Sequence, residues 1–185
     1  MTPFLKGHLL VATPELLAPI FARSVILMLD HSEEGAAGVI LNRPTEASVS
    51  AVSEQVFEEA SDWEKPISLG GPVAGPLIVL HTDETLADQT ILPGVFSTVD
   101  SGKVRELVRR KVEPSLTVAN YAGWSPGQLE DEIATGSWVS LPARVRLVFA
   151  ADTDDLWSVV MKEYQGRRLT DLLGLHDVPD DPRVN

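Results

Sequence analysis

The sequence predicts an α+β fold built on one mixed sheet, and three observations carry that prediction. Short runs of consecutive apolar residues, bounded by turn formers, read as strands covered on both faces. Helical patterns do not alternate with them one for one, as a doubly wound parallel sheet would require. The chain has 185 residues, 44% hydrophobic and 23% charged, which suits a globular domain with a real core.

Taken in order, residues 8–12 form the first strand pattern and residues 25–29 the second. Residues 38–41 form the third. Between these last two lies 30–37, rich in Gly, Ser and Glu, which reads as a hairpin turn. A first helix is predicted over 47–60, with Val49, Val52, Val56 and Phe57 on one stripe. Ile67, Ser68 and Leu69 make a short apolar segment, and 77–80 is the next strand. A second helix follows Ser101, turns Val104, Leu107, Val108 and Val112 inward, and stops at Pro114. Residues 117–121 are a strand, and a third helix starts at Ser125. Residues 144–149 begin with alternation and read as a strand wet on one face. A fourth helix follows Asp152 or Thr153, carries Leu156, Trp157, Val160, Met161 and Tyr164 inward, and ends at Gly166, where a left-handed residue is wanted. Residues 1–176 are therefore expected to be one domain, and 177–185, polar and acidic, a disordered tail.

The turn at 121–130 is locally well specified. Ser125 is expected to cap the third helix, with Pro126 at its first position and Gln128 closing a capping box. Trp124 and Leu129 are placed for a hydrophobic staple, and Glu130, Asp131 and Glu132 suit the positive helix end.

Composition excludes several functions. The 15 basic against 27 acidic residues leave a net charge of −12, which opposes duplex DNA and anionic lipid. The absence of cysteine removes disulfides, thiol nucleophiles, zinc ribbons and iron–sulfur clusters, and fits a reducing cytoplasm. The apolar stretch 9–17 is broken by Thr13, Pro14 and Glu15, so no signal peptide is read. The longest apolar run, 25–29, has five residues, against about 20 needed to span a bilayer. No membrane partner is expected.

Several blocks together resemble one bacterial family. They are 7–14 (Gly-His-Leu-Leu-Val-Ala-Thr-Pro), 21–26 (Phe-Ala-Arg-Ser-Val-Ile), His31 with 35–38, Leu41-Asn42-Arg43-Pro44, Gly70-Gly71-Pro72-Val73, Leu80-His81, the 121–130 turn, and Ser137-Trp138. In this order, from about residue 5 to 165, the chain resembles the YqgE/AlgH family. That resemblance implies a bent sheet folded into a partial barrel, with about four helices around it. It implies a proposed link to transcriptional regulation and no established catalytic residue.

The chemistry-bearing residues are few. Arg43, at the end of a buried strand, reads either as a bidentate anion clamp or as a brace of its own loop, with Asn42 terminating the strand. Gly70-Gly71 reads as a tight turn or as a nest of N–H donors for an anion. Ser24, Asp30, His31 and His81 do not make a triad by spacing: no GxSxG surrounds Ser24, and adjacent strand residues face opposite ways. The histidines lack metal-ligand spacing, so hydrogen-bonded structural roles are the better reading. The basic second helix, Lys103 to Lys111, reads as a solvated face with Glu106–Arg110 paired. No catalytic residue, metal or cofactor is expected. The candidate ligand residues are Arg23, Asn42, Arg43, Gly70, Gly71, His81 and Trp124, expected on one cleft. The function expected is a non-catalytic cytoplasmic regulatory or binding protein whose partner is a protein or a small anion. The alternative is a small enzyme or metabolite-binding protein with a polar cleft near Arg43.

Overall fold

A computed structural model describes residues 4–58, 61–150 and 153–173. In chain order the elements are β1 (His8–Ala12), β2 (Val25–Ser32), β3 (Gly35–Ile40), β4 (Pro44–Ser48), α1 (Val49–Phe57), β5 (Pro66–Leu69) and β6 (Val73–His81). A single 3-10 turn (Glu84–Leu86) leads to β7 (Gln89–Leu92), β8 (Val95–Thr98), α2 (Ser101–Arg110), β9 (Ser115–Trp124), α3 (Gln128–Ala134), β10 (Trp138–Pro142), α4 (Val145–Val148) and α5 (Leu156–Leu173).

The strand order is β10-β1-β2-β3-β9-β6-β8-β7, with β4 on β5 and β5 parallel to β9. Strand β9 joins the two halves. Its far end, Ala122 to Trp124, pairs with β3, while Ser115 to Ala119 pairs with β6. Asn120, between these parts, has φ +65, so the strand breaks its pleat there. The mixed sheet curls into the half-barrel that the family resemblance implied.

Alternation explains why the apolar runs are continuous. Leu9 and Val11 of β1 face the inner core with Val25, Leu27, Val39, Leu80 and Val118, which α4 and α5 cover through Leu147, Val148, Leu156 and Val160. Leu10 and Ala12 face outward onto Ile26, Met28, Ile40, Trp124, Leu129 and Trp138. Both faces of the sheet are thus buried, as the unbroken apolarity predicted. The 30–37 hairpin is present, with Ser32 opposite Gly35. Helix α1 is shorter than expected, running from the Ser48 cap to a left-handed Glu58.

Three local expectations are corrected. Residues 144–149 are not a strand but hold the short helix α4 (Val145–Val148): neighbours Leu147 and Val148 are both buried in the inner core, which a strand cannot arrange. Gly166 does not end the last helix. It lies inside α5, which runs on to Leu173, and nothing lies within 4 Å of where its Cβ would stand. Ser125 does not cap α3. Gly127, with φ +78, occupies the cap, and only half of the capping box forms, the Ser125 N–H donating to Gln128 Oε1 at 3.0 Å. Strands β4, β7, β8 and β10 lacked the apolar signature used to find the others. The tail 177–185 lies outside the described residues.

Candidate functional site

The end of β3 is held to the start of β2 by one side chain. Asn42, 8% exposed, accepts from the Val25 N–H through Oδ1 at 2.9 Å and donates from Nδ2 to the Arg23 carbonyl at 2.9 Å. Arg43 donates to the Asn42 carbonyl at 2.9 Å and to the Ala22 carbonyl. Arg23, exposed and left-handed at φ +55, stacks its guanidinium 4.7 Å from the Trp157 ring centre. Trp157 is itself anchored by donating Nε1–H to the Ala12 carbonyl at 2.8 Å. These groups line a shallow cleft of about 230 Å³, together with Thr153 and Asp154.

Among the described residues most basic side chains outside this cleft are paired with carboxylates, though Lys6, Lys162 and Arg168 are not. Lys65, Lys103, Arg109, Arg110, Lys111, Arg144, Arg146 and Arg167 each form an ion pair with a carboxylate. Among the described residues neither Arg23 nor Arg43 does. Burial lowers the pKa of Arg43 from the ordinary arginine value, and no neighbouring carboxylate raises it back. A guanidinium remains charged throughout, so Arg43 is a partly dehydrated cation bonded only to carbonyls.

The Gly70-Gly71 turn lies beside this segment. Leu69 N–H donates to the Arg43 carbonyl at 2.8 Å, and Ile40 N–H to the Gly70 carbonyl at 2.9 Å. The glycines serve a backbone crossing: a Cβ on Gly70 would stand 2.4 Å from the Asn120 carbonyl oxygen, and one on Gly71 2.3 Å from Tyr121 backbone. The Gly70 N–H is already spent on the Ala119 carbonyl at 2.8 Å.

Gly70 and Gly71 therefore stand beside the cleft without lining it, and His81 and Trp124 lie away from it, which corrects the expected convergence. His81 sits on β6, two strands beyond β3, and is fully buried. The Thr98 hydroxyl donates to the Leu86 carbonyl, so its oxygen accepts from His81 Nε2 at 2.8 Å. Burial lowers the imidazole pKa. Trp124 belongs to the outer core, where its Nε1–H and that of Trp138 share Glu132 Oε2 at 2.9 and 2.8 Å. His31 is structural as expected: Nδ1 accepts from the Leu5 N–H at 2.9 Å, so Nε2 donates to Glu130 at 2.8 Å. The basic face of α2 is neutralised, Glu106 being held to a pKa of about 2 by Arg109 first and Arg110 second.

A second cavity of about 370 Å³ went unread in the sequence. Its walls are Leu41, Leu116, Val148, Phe149 and Leu156, and its rim carries Lys65, Ser68, Glu113, Ser115 and Thr153. The parallel pairing of β5 with β9 brings Lys65 to Glu113 and Ser115. The local signal was a charged residue before proline at both Lys65-Pro66 and Glu113-Pro114, which favours an extended strand start. Lys65 Nζ donates to both Glu113 oxygens at 2.7 and 2.6 Å and to Ser115 Oγ at 3.3 Å. With all three protons donated, the ammonium has no lone pair to activate Ser115. Among the described residues there is no cluster of metal-ligating side chains, and no helix is long and apolar enough to cross a membrane.

Comparison with known proteins agrees with this architecture. A family model described as AlgH-like matches residues 9–168. The UPF0301 protein of Streptomyces coelicolor is 36% identical over 98% of this chain and 95% of its own length. That of Chlorobaculum tepidum is 39% identical, covering 82% of each chain. The solution structure of the AlgH protein from Pseudomonas aeruginosa superposes with a TM-score of 0.76, at 26% identity and 98% coverage of both chains.

Proposed function

The chain belongs to the AlgH-like family, and from that premise we propose that it is a non-catalytic regulatory or binding protein of the cytoplasm whose ligand is a small anion held between Arg23 and Arg43. One observation carries the proposal: in a protein of net charge −12, two adjacent guanidiniums share a cleft and neither forms an ion pair among the described residues. Removing a cation from water without a counter-charge is costly, and a carboxylate or phosphate group relieves that cost through charge-assisted bonds. Arg43 is fixed by its two carbonyl bonds and Arg23 by its stack on Trp157, so both charges are pre-positioned. Binding is favoured over turnover because, among the described residues, Ser115 meets Lys65 only as an acceptor from an ammonium already bonded to Glu113, which supplies no base to it.

The test is a nuclear magnetic resonance titration of the full chain with sodium acetate and with sodium phosphate. Saturable shifts of the Arg23 and Arg43 side-chain signals are expected, weakened at least threefold in Arg23→Gln. Unchanged spectra up to high anion concentration, or equal affinity in Arg23→Gln, would overturn the proposal.

A further inference from the structure

The second cavity has no role in the anion reading, yet it adjoins the anion cleft. Thr153 lines both. The segment 41–44 also walls both: Leu41 and Pro44 line the larger cavity, and Asn42 and Arg43 line the smaller. Alone, the cleft of about 230 Å³ is smaller than the usual ligand pocket, which starts near roughly 300 Å³. The neighbouring 370 Å³ falls within that usual range.

The two spaces offer complementary chemistry. The larger is walled mainly by apolar side chains, Leu41, Leu116, Val148, Phe149 and Leu156 among them. Its rim charges, Lys65 and Glu113, are spent on one another. It therefore attracts apolar surface and has no uncommitted charge to bind a head group. The smaller space has two cations that form no ion pair among the described residues, and little apolar wall.

Resting on the anion reading, we infer that the ligand is an amphipathic monocarboxylate: its carboxylate lies on Arg23 and Arg43, and its short alkyl or aryl tail passes Thr153 into the apolar cavity. Charge complementarity fixes the head, and the apolar lining fixes the tail. No covalent step is involved.

The experiment is a titration of the full chain with acetate, butyrate, hexanoate and hexanol, read by amide and side-chain shifts. Each methylene that enters the apolar cavity should tighten binding by about fourfold. Hexanoate should move the Leu116 and Phe149 amides, which acetate should leave in place. Hexanol should bind far more weakly than hexanoate, and Arg23→Gln should weaken hexanoate. Leu116→Trp, which fills the cavity, should abolish the chain-length increment and leave acetate binding intact. The wild-type shift pattern decides the matter even if that variant does not fold. Equal affinity from acetate to hexanoate, still dependent on Arg23, would overturn the tail and leave the anion site standing. Hexanol binding as tightly as hexanoate, or no carboxylate binding at all, would overturn both.

Discussion

Replacing Asn42 with alanine should destabilise the protein by about 2–4 kcal/mol. The side chain spans two chain segments in a place that is almost dry. Val25 is fully buried, and its N–H is satisfied by Asn42 Oδ1. Next to it, the Val25 carbonyl accepts the Leu41 N–H at 2.8 Å, so the sheet edge there depends on the same contact. Truncation removes two hydrogen bonds, each worth about 0.5–1.5 kcal/mol net, and orphans a buried donor, which costs about 1–3 kcal/mol. The lost Val25 bond and its orphaned N–H are one event, so these ranges overlap rather than add. Asn42→Asp keeps an acceptor for Val25, but it sets a buried carboxylate oxygen against the Arg23 carbonyl, so it should not be milder than alanine at neutral pH. Urea unfolding followed by tryptophan fluorescence gives both values, with the slope unchanged and only the midpoint moved. A loss below about 0.5 kcal/mol for Asn42→Ala would refute the reasoning, because it would mean the orphaned N–H is satisfied without the side chain.

Two further outcomes follow from the same geometry. The Asp88 carboxyl is held to a pKa of about 2, first by its bond from Lys103 and then by the N–H groups of Asp100 and Val99. That is below its unfolded value, so the unfolded chain binds the proton first as pH falls: the contribution is complete above pH 4 and is lost towards pH 2. Asp88→Asn should flatten the fall in urea midpoint between pH 4 and pH 2, and an unchanged slope would contradict the assignment. Gly166→Ala should raise stability by roughly 0.5–1 kcal/mol, because an interior helical glycine with open space around it costs backbone entropy and nothing else. A lower unfolding midpoint in that variant would show that α5 does not continue through Gly166.

Some of the site was legible before folding. Arg43 follows a buried strand, where a guanidinium can clamp an anion or brace its loop, and the brace is the geometry found, with bonds to the Asn42 and Ala22 carbonyls. Arg23 entered only through the family resemblance. His81 and Trp124 were misplaced for one reason: both are polar enough to suggest a site, and both spend that polarity on internal partners, Thr98 and Glu132. A side chain's type shows that it can make hydrogen bonds, but not where the partner will be. The apolar cavity was hidden because part of its wall, Val148 and Phe149, comes from 144–149, whose alternating start imitated a strand.

Composition and pattern were sufficient for the α+β class, the strands β1 to β3, the hairpin between β2 and β3 and the inward face of α2. Each depends on periodicity over a few residues, which is a local property. The ion-pair accounting was beyond their reach. The Lys65–Glu113 pair spans 48 positions, and whether Arg23 and Arg43 find such a pair among the described residues depends on where the acidic side chains lie after folding. A charge is neutralised by whatever stands within a few ångströms, and in a chain whose sheet order runs β10-β1-β2-β3-β9-β6, those neighbours come from distant sequence. The sequence therefore determined which residues could carry charge, and only the tertiary structure decided which of them found a partner.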